Sequence, residues 1–325
     1  MSNRAGWTSA FAGVTAEGTT ISNSTSPKLQ GYLFTLAAVF IFAVQDSFSK
    51  YLGERYSPIL ITMIRFWAFA AFVMLLAMRK PGGVRGAFVT KHPLMQGMRG
   101  VLLVAEIALF VFGLAHTGLA ITQAIFQSTP LIVTILSIPF LGEHVGWRRW
   151  LAVVAGLFGV LLIINPTGGA FSLYLLLPLA CATMFAAYSV ATRAVSRNDS
   201  TFTSLAYTAV GGAVAISLLG PFYWTPIAVS EWPMVAALCV CGTVSHYCLI
   251  RAYDSLQASE VQPFAYLQLV VGAVIAVMFF GETLSWNMLL GSAIVVGAGL
   301  FTMWREHRAQ SKNNPASGSG IAERP

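Results

Sequence analysis

Ten apolar stretches of about 20 residues, separated by short polar breaks, run along the chain: 31–52, 58–78, 94–115, 119–141, 147–165, 172–193, 201–221, 233–253, 258–280 and 286–304. A helix rising ~1.5 Å per residue needs about 20 mostly apolar residues to cross the hydrocarbon core of a bilayer. The pattern therefore predicts ten transmembrane spans. The breaks carry turn chemistry: Ser57-Pro58, Lys80-Pro81-Gly82-Gly83, His116-Thr117-Gly118, Gly142-Glu143, Asn165-Pro166 and Gly220-Pro221. Several are so short that neighbouring spans must run antiparallel as hairpins. Long alternation of apolar and polar positions is absent, which argues against an outer-membrane barrel. Residues 1–29 are rich in Ser, Thr and Gly and lack the apolar core of a signal peptide. They and the polar residues 305–325 read as disordered arms.

Composition places lipid around this pattern. Of 325 residues, 56% are apolar and only 10% charged, and the mean hydropathy is +0.71. A soluble domain carries about 25% charged residues, so this chain cannot coat a globule of its size for water. The net charge of +7 does not form a nucleic-acid face, because the basic residues fall in short clusters between spans. Cytoplasmic loops carry the excess of Lys and Arg. With the N-terminus inside, Arg4, Lys28, Arg79, Lys80, Arg85, Lys91, Arg148, Arg149, Arg193, Arg197, Arg251, Arg305, Arg308, Lys312 and Arg324 lie inside, and only Lys50 and Arg55 outside. Both termini are expected in the cytoplasm, the membrane being a bacterial-type inner membrane. Cys181, Cys239, Cys241 and Cys248 all sit in apolar stretches without metal-site spacing, so they read as small buried hydrophobes rather than as disulfides or ligands.

The chain is also two copies of one unit. Leu141-Gly-Glu-His-Val-Gly-Trp147 recurs as Phe280-Gly-Glu-Thr-Leu-Ser-Trp286 at an offset of 139, which also lays Gln123 on Gln262 and Leu151 on Leu290. Phe42-Ala-Val-Gln-Asp-Ser-Phe-Ser-Lys50 matches Phe185-Ala-Ala-Tyr-Ser-Val-Ala-Thr-Arg193. Each unit, 30–165 and 172–304, holds five spans. An odd number sends the second copy into the membrane from the opposite side. The expected fold is thus an all-α membrane protein of ten transmembrane helices in two inverted five-helix repeats, a design used by secondary transporters to place one site between alternating gates.

Arg65 early in span 2, Arg99-Gly100 opening span 3, Pro130 in span 4, Leu141-Gly142-Glu143 and Phe280-Gly281-Glu282 together resemble the drug/metabolite transporter superfamily, in its ten-helix branch of two EamA-type domains. The resemblance covers roughly residues 30 to 305. It implies a cytoplasmic-membrane carrier, often an exporter, for amino acids, related metabolites, or occasionally vitamins or nucleotide-like compounds. The second half departs from the pattern, with Leu269 at the position paired with Pro130.

Ionisable groups within spans are costly and normally face the protein interior. Asp46 in span 1 and Arg65 in span 2 each lie about 10 Å below the outer face, counted from the span ends. They form a candidate gating pair, and Lys50, four residues after Asp46, could share it. The pair reads either as a lock on the first hairpin or as substrate-binding groups. Glu106 sits near the middle of span 3, and its repeat counterpart Ser245 adjoins His246. It reads either as a protonated interhelical partner or as the titrating group of a proton-coupled carrier. Gln123 and Gln127 in span 4, and Gln262 and Tyr266 in span 9, each make an i, i+4 polar stripe. With Gln45 and its repeat counterpart Tyr188, they suit a small amphipathic or zwitterionic solute. The candidate substrate-binding set is Gln45, Asp46, Arg65, Glu106, Gln127, Tyr188, His246, Gln262 and Tyr266.

Glu143 and Glu282 read instead as carboxylates at the positive N-terminal ends of spans 5 and 10, with Ser285 as an N-cap. Trp147, Trp150, Trp232, Trp286 and Trp304 sit at span ends as interfacial anchors. Ala152, Gly156 and Gly159 make a small-residue stripe for close packing, within one chain or between protomers of a homodimer. No Walker-type loop, His-pair metal motif or nucleophile elbow is present. The expected function is therefore a secondary exporter of a small metabolite such as an amino acid, working by alternating access, with no cofactor and no enzymatic activity. The alternatives are an uptake carrier for a vitamin or nucleoside-type solute and, further off, a channel or membrane scaffold.

Overall fold

The computed structural model describes residues 27–80, 82–142, 146–165, 172–195, 198–256, 261 and 264–313, and among them every regular element is helical. In chain order the α-helices are α1 Pro27–Gly53, α2 Pro58–Met78, α3 Gly83–Ala87, α4 Pro93–Thr117, α5 Leu119–Phe126, α6 Thr129–Leu141, α7 Trp147–Ile164, α8 Leu176–Val195, α9 Thr201–Leu219, α10 Trp232–Ser255, α11 Ala265–Phe280 and α12 Trp286–Asn313. Proline at the first turn starts α2 and α4, where its missing N–H has no helical partner to lose. Ser285 Oγ accepts the Met288 amide at 3.2 Å and caps α12 as expected.

Nine spans among the described residues are long and apolar enough to cross a membrane. The ninth expected span is represented by α11, of 16 residues, which rises only about 24 Å. Residues 257–260 and 262–263 at its expected start lie outside the described residues, as do Glu143 and Gln262. The helical account is thus nine spans and one shorter apolar helix. Span 4 crosses in two pieces, α5 and α6. Pro130 has no N–H to give the carbonyl of Phe126, and Thr129 Oγ1 donates to that carbonyl instead at 2.6 Å. At the C-terminus, α12 continues to Asn313, beyond the expected end at 304.

The packing pairs α1 with α10, α4 with α8 and α9, α2 with α9 and α10, α6 with α8, α1 and α5 with α11, and α7 with α12. Exchanging first-half for second-half helices maps this set of pairings onto itself. The small-residue stripe of α7 is used inside the chain: a Cβ on Gly156 would meet Leu131 and Ala298, and one on Gly159 would meet the Gly291 carbonyl of α12. Large apolar side chains such as Leu75, Phe140, Phe158, Leu218 and Phe279 face outward, while Gln45, Asp46, Arg99, Glu106, Gln123 and Gln127 are buried. Polar inside and apolar outside is the arrangement a bilayer imposes.

Candidate functional site

The site begins at Asp46, in the C-terminal third of α1 and buried. Its Oδ2 accepts Gln123 Nε2 of α5 at 2.8 Å and Gln268 Nε2 of α11 at 2.9 Å. One carboxylate thus joins helices of both halves. On the preceding residue, Gln45 Oε1 accepts the Ser245 hydroxyl of α10 at 3.4 Å. Arg65 of α2 enters the same layer. A Cβ on Gly242 of α10 would come 3.1 Å from Gln45 Oε1 and 3.2 Å from Arg65 Nε, so the absent side chain leaves them their space. Arg65 acts electrostatically on both Asp46 and Glu106, yet among the described residues no carboxylate lies within ion-pair distance of it.

His246 completes the layer. Its Nδ1 donates to the Gly242 carbonyl at 2.7 Å, and its ring lies 5.1 Å from those of Phe42 and Phe69. Among the described residues no hydrogen bond or ion pair joins His246 to Glu106. Arg65, His246 and Gly242, with Phe66, Phe69, Leu103 and Ile107, line a small void with room for about one water molecule. The cluster is therefore closed around itself in this conformation.

Of the sequence-predicted residues, the structure gathers Gln45, Asp46, Arg65, Glu106 and His246 into this layer and directs others elsewhere. Lys50 does not join Asp46. Its Nζ lies 2.5 Å from Glu54 Oε1 and 3.6 Å from Glu282 Oε1, because the i, i+4 spacing serves Glu54 as well as Asp46. The expected three-residue ion pair of Asp46, Lys50 and Arg65 is therefore not formed. Tyr188 lies beneath Arg99, whose guanidinium carbon is 5.0 Å from the ring centroid. Gln127 Nε2 donates to the Ala265 carbonyl at 2.6 Å, tying the kink of span 4 to the start of α11. The Tyr266 hydroxyl is turned to α12, where a Cβ on Gly299 would collide with it. Gln123, Gln268 and Ser245 belong to the layer but are not in the sequence-predicted substrate-binding set. The i, i+4 stripe that marks Gln123 and Gln127 does not reach Gln268, whose neighbours four residues away are Phe264 and Gly272.

Two polar rims close the ends. At the end holding the α1–α2 turn, Glu282 accepts the backbone N–H groups of Leu119 and Ala120, at 2.7 and 3.0 Å. Tyr51 Oη donates to Glu231 Oε1 at 3.1 Å, and Arg55 Nε lies 3.9 Å from the same oxygen. Glu282 thus caps α5 of the other half rather than its own helix. At the opposite end, Asp199 accepts the Thr90 hydroxyl and, at 2.7 Å, Gln96 Nε2. Gln96 Oε1 in turn accepts Arg99 Nη1, and Arg99 Nε donates to Thr192 Oγ1 at 3.0 Å. The Thr90 hydroxyl foremost, then the Gln96 amide and the nearby His92, hold the Asp199 carboxyl below the usual carboxylate range.

Helical spans surround a buried polar layer between two rims, and along most of its length the chain is similar to known proteins. The chain is 29% identical over 292 residues to a riboflavin transporter of Vibrio cholerae, covering 89% of this chain and 98% of that protein. It is 27% identical over 270 residues to an S-adenosylmethionine uptake transporter of Rickettsia bellii, covering 83% and 92%. A pseudopaline exporter of Pseudomonas aeruginosa is 26% identical over 270 residues, covering 82% and 94%. A solved crystal structure matches in fold with a TM-score of 0.59 at 19% identity, covering 86% of this chain and 99% of that one. The model of the EamA-like transporter family matches twice, at residues 29–165 and 172–304. With two such matches spanning nearly all of its apolar length, the chain belongs to the EamA-like transporter family: it is a multi-pass membrane transporter and not an enzyme.

Proposed function

We propose that this protein is a secondary carrier of the bacterial inner membrane that moves a small amphipathic metabolite by alternating access, binding it at the layer of Asp46, Arg65, Glu106 and His246. The observation that carries the reading is the Asp46 carboxylate, which is buried and held jointly by Gln123 and Gln268, between two rims that link the halves. A substrate with a cationic or amide group replaces those amide donors, and a substrate carboxylate meets Arg65. The doubled family match and the pairings that survive exchange of the halves support two inverted repeats, 30–165 and 172–304. The skewed distribution of Lys and Arg supports cytoplasmic termini, which makes the Glu282 rim the outer one and the Asp199 rim the inner. Glu106 is the group proposed to carry a coupled proton, since it is buried in the layer and, among the described residues, no side-chain hydrogen bond or ion pair engages its carboxyl.

The substrate proposed first is a vitamin or nucleoside-type solute with a planar ring and a polar or charged tail, taken up into the cell. The names of the riboflavin and S-adenosylmethionine carriers support it, and Phe42, Phe69 and His246 supply ring faces beside the charges. Export of an amino-acid-like compound is the second reading, favoured by the exporter among the relatives. Purified protein in proteoliposomes, loaded or bathed with riboflavin, S-adenosylmethionine or amino acids in turn, tests both. Saturable flux of one ring-bearing solute, lost in R65A, supports the first reading. Flux confined to amino acids selects the second, and absence of flux with every panel sinks both.

A further inference from the structure

We infer that Glu282 is the latch of the outer gate, a positioning residue that holds the corner between α4 and α5 against the opposite half of the protein. The inference rests on the alternating-access reading above and assigns the contact that must break when the substrate layer opens outward.

The corner at Gly118 is where α4 turns back into α5. Its backbone stands at φ +87°, a conformation that only glycine adopts without strain. Just beyond it, the first N–H groups of α5 have no partner within their own helix. Glu282, from the segment joining α11 to α12, supplies one: its two oxygens each take one of the consecutive amides of Leu119 and Ala120, at 2.7 and 3.0 Å. A Cβ on Gly118 would lie 2.9–3.0 Å from that carboxylate, so glycine is needed there for access as well as for the turn. Lys50, from the end of α1, stands 3.6 Å from the same carboxylate and 4.7 Å from the Phe280 ring. Three pieces of chain therefore meet on one carboxylate: the end of α1, the α4–α5 corner and the α11–α12 connection.

The location gives these contacts a function beyond capping. Both α1 and α5 run from the latch directly to the substrate layer, through Asp46 and Gln123. A movement of the corner that admits solute separates Glu282 from the two amides, since they belong to different halves. Charge-assisted hydrogen bonds to backbone N–H at a helix start are among the stronger polar contacts, and they are made only while the outer end is shut. Glu282 thereby biases the population toward the outward-closed state. A purely structural cap would stabilise the outward-open and outward-closed forms alike.

The test uses full-length protein in membrane vesicles of both orientations. A reporter S245C is placed in the substrate layer, with Cys181, Cys239, Cys241 and Cys248 replaced by Ala, and is labelled with a membrane-impermeant maleimide. E282Q keeps the shape of the side chain but loses its charge and one of the two acceptor oxygens. Labelling from the outer face is expected to be about tenfold faster in E282Q than in its parent, with the inner-face rate unchanged or slower. K50M is expected to move the outer rate in the same direction by less. Equal acceleration from both faces, or no acceleration, overturns the latch. Failure of the alternating-access reading has a separate signature: in the parent itself, a transported solute then leaves the labelling rate unchanged on both faces.

Discussion

Asp46 is an ionisable group in a place where a bilayer protein tolerates one only for a reason. Two amide donors and the neighbouring Arg65 surround its carboxyl, which accepts their hydrogen bonds and attracts positive charge. D46N retains the shape but presents an amide N–H to Gln123 or Gln268, which are already donors. Transport is expected to fall by about 10- to 100-fold, the usual worth of a hydrogen bond to a charged group, as read from initial rates in proteoliposomes. The double variant D46N/R65Q separates two roles. A substrate role leaves it as slow as D46N, whereas mutual neutralisation of the two charges restores part of the rate. Asp199 offers a second test. Its folded pKa lies below the ordinary value near 4, so in that acidic range the unfolded chain binds more protons. The stability that Asp199 contributes is then fully present above about pH 4 and is lost as pH falls through the folded value. Thermal unfolding followed from pH 6 down to pH 3 is expected to be flatter in D199N or T90A than in the parent. An unchanged slope in both would remove Asp199 from the energetics of its rim.

Helices are where sequence speaks most plainly, because twenty apolar residues are a physical length. Nine spans and the apolar α11 fall where that length placed them. Matched depth also brought Asp46 and Arg65 into one layer. What depth cannot supply is rotation about the helix axis. Tyr188 and Tyr266 were at useful heights but point to Arg99 and to α12, and Lys50 turns to Glu54 and Glu282. The small residues of α7 announced close packing without naming its partner, which is α12. At that crossing, a Cβ on Gly159 or Gly291 would press on the facing backbone carbonyl. G159L or G291L is expected to cost about 1–3 kcal/mol as overpacking, seen as a lower unfolding temperature. If neither lowers it, the α7–α12 contact is looser than described.

At the scale of the whole molecule, the buried polar layer lies between two rims of polar contacts, and the void beside Arg65 has room for about one water molecule. A solute the size of a vitamin cannot enter without separation of the halves at one rim. The rim at Asp199 provides a handle on that motion, because Gln96 of α4 and Ser204 of α9 are in contact across it, Nε2 to Oγ, at 3.1 Å. Q96C/S204C, treated with a short thiol-reactive crosslinker carrying a cleavable disulfide, ties the two halves at this point. Transport is expected to stop and to return on reduction, while a solute offered from the outer face still binds, since the opposite rim remains free to open. Transport that continues at the parental rate after complete crosslinking would mean that this rim never separates, and that the path on this side leaves the layer elsewhere. Loss of binding together with transport would instead mean that the two rims open as one, which alternating access forbids.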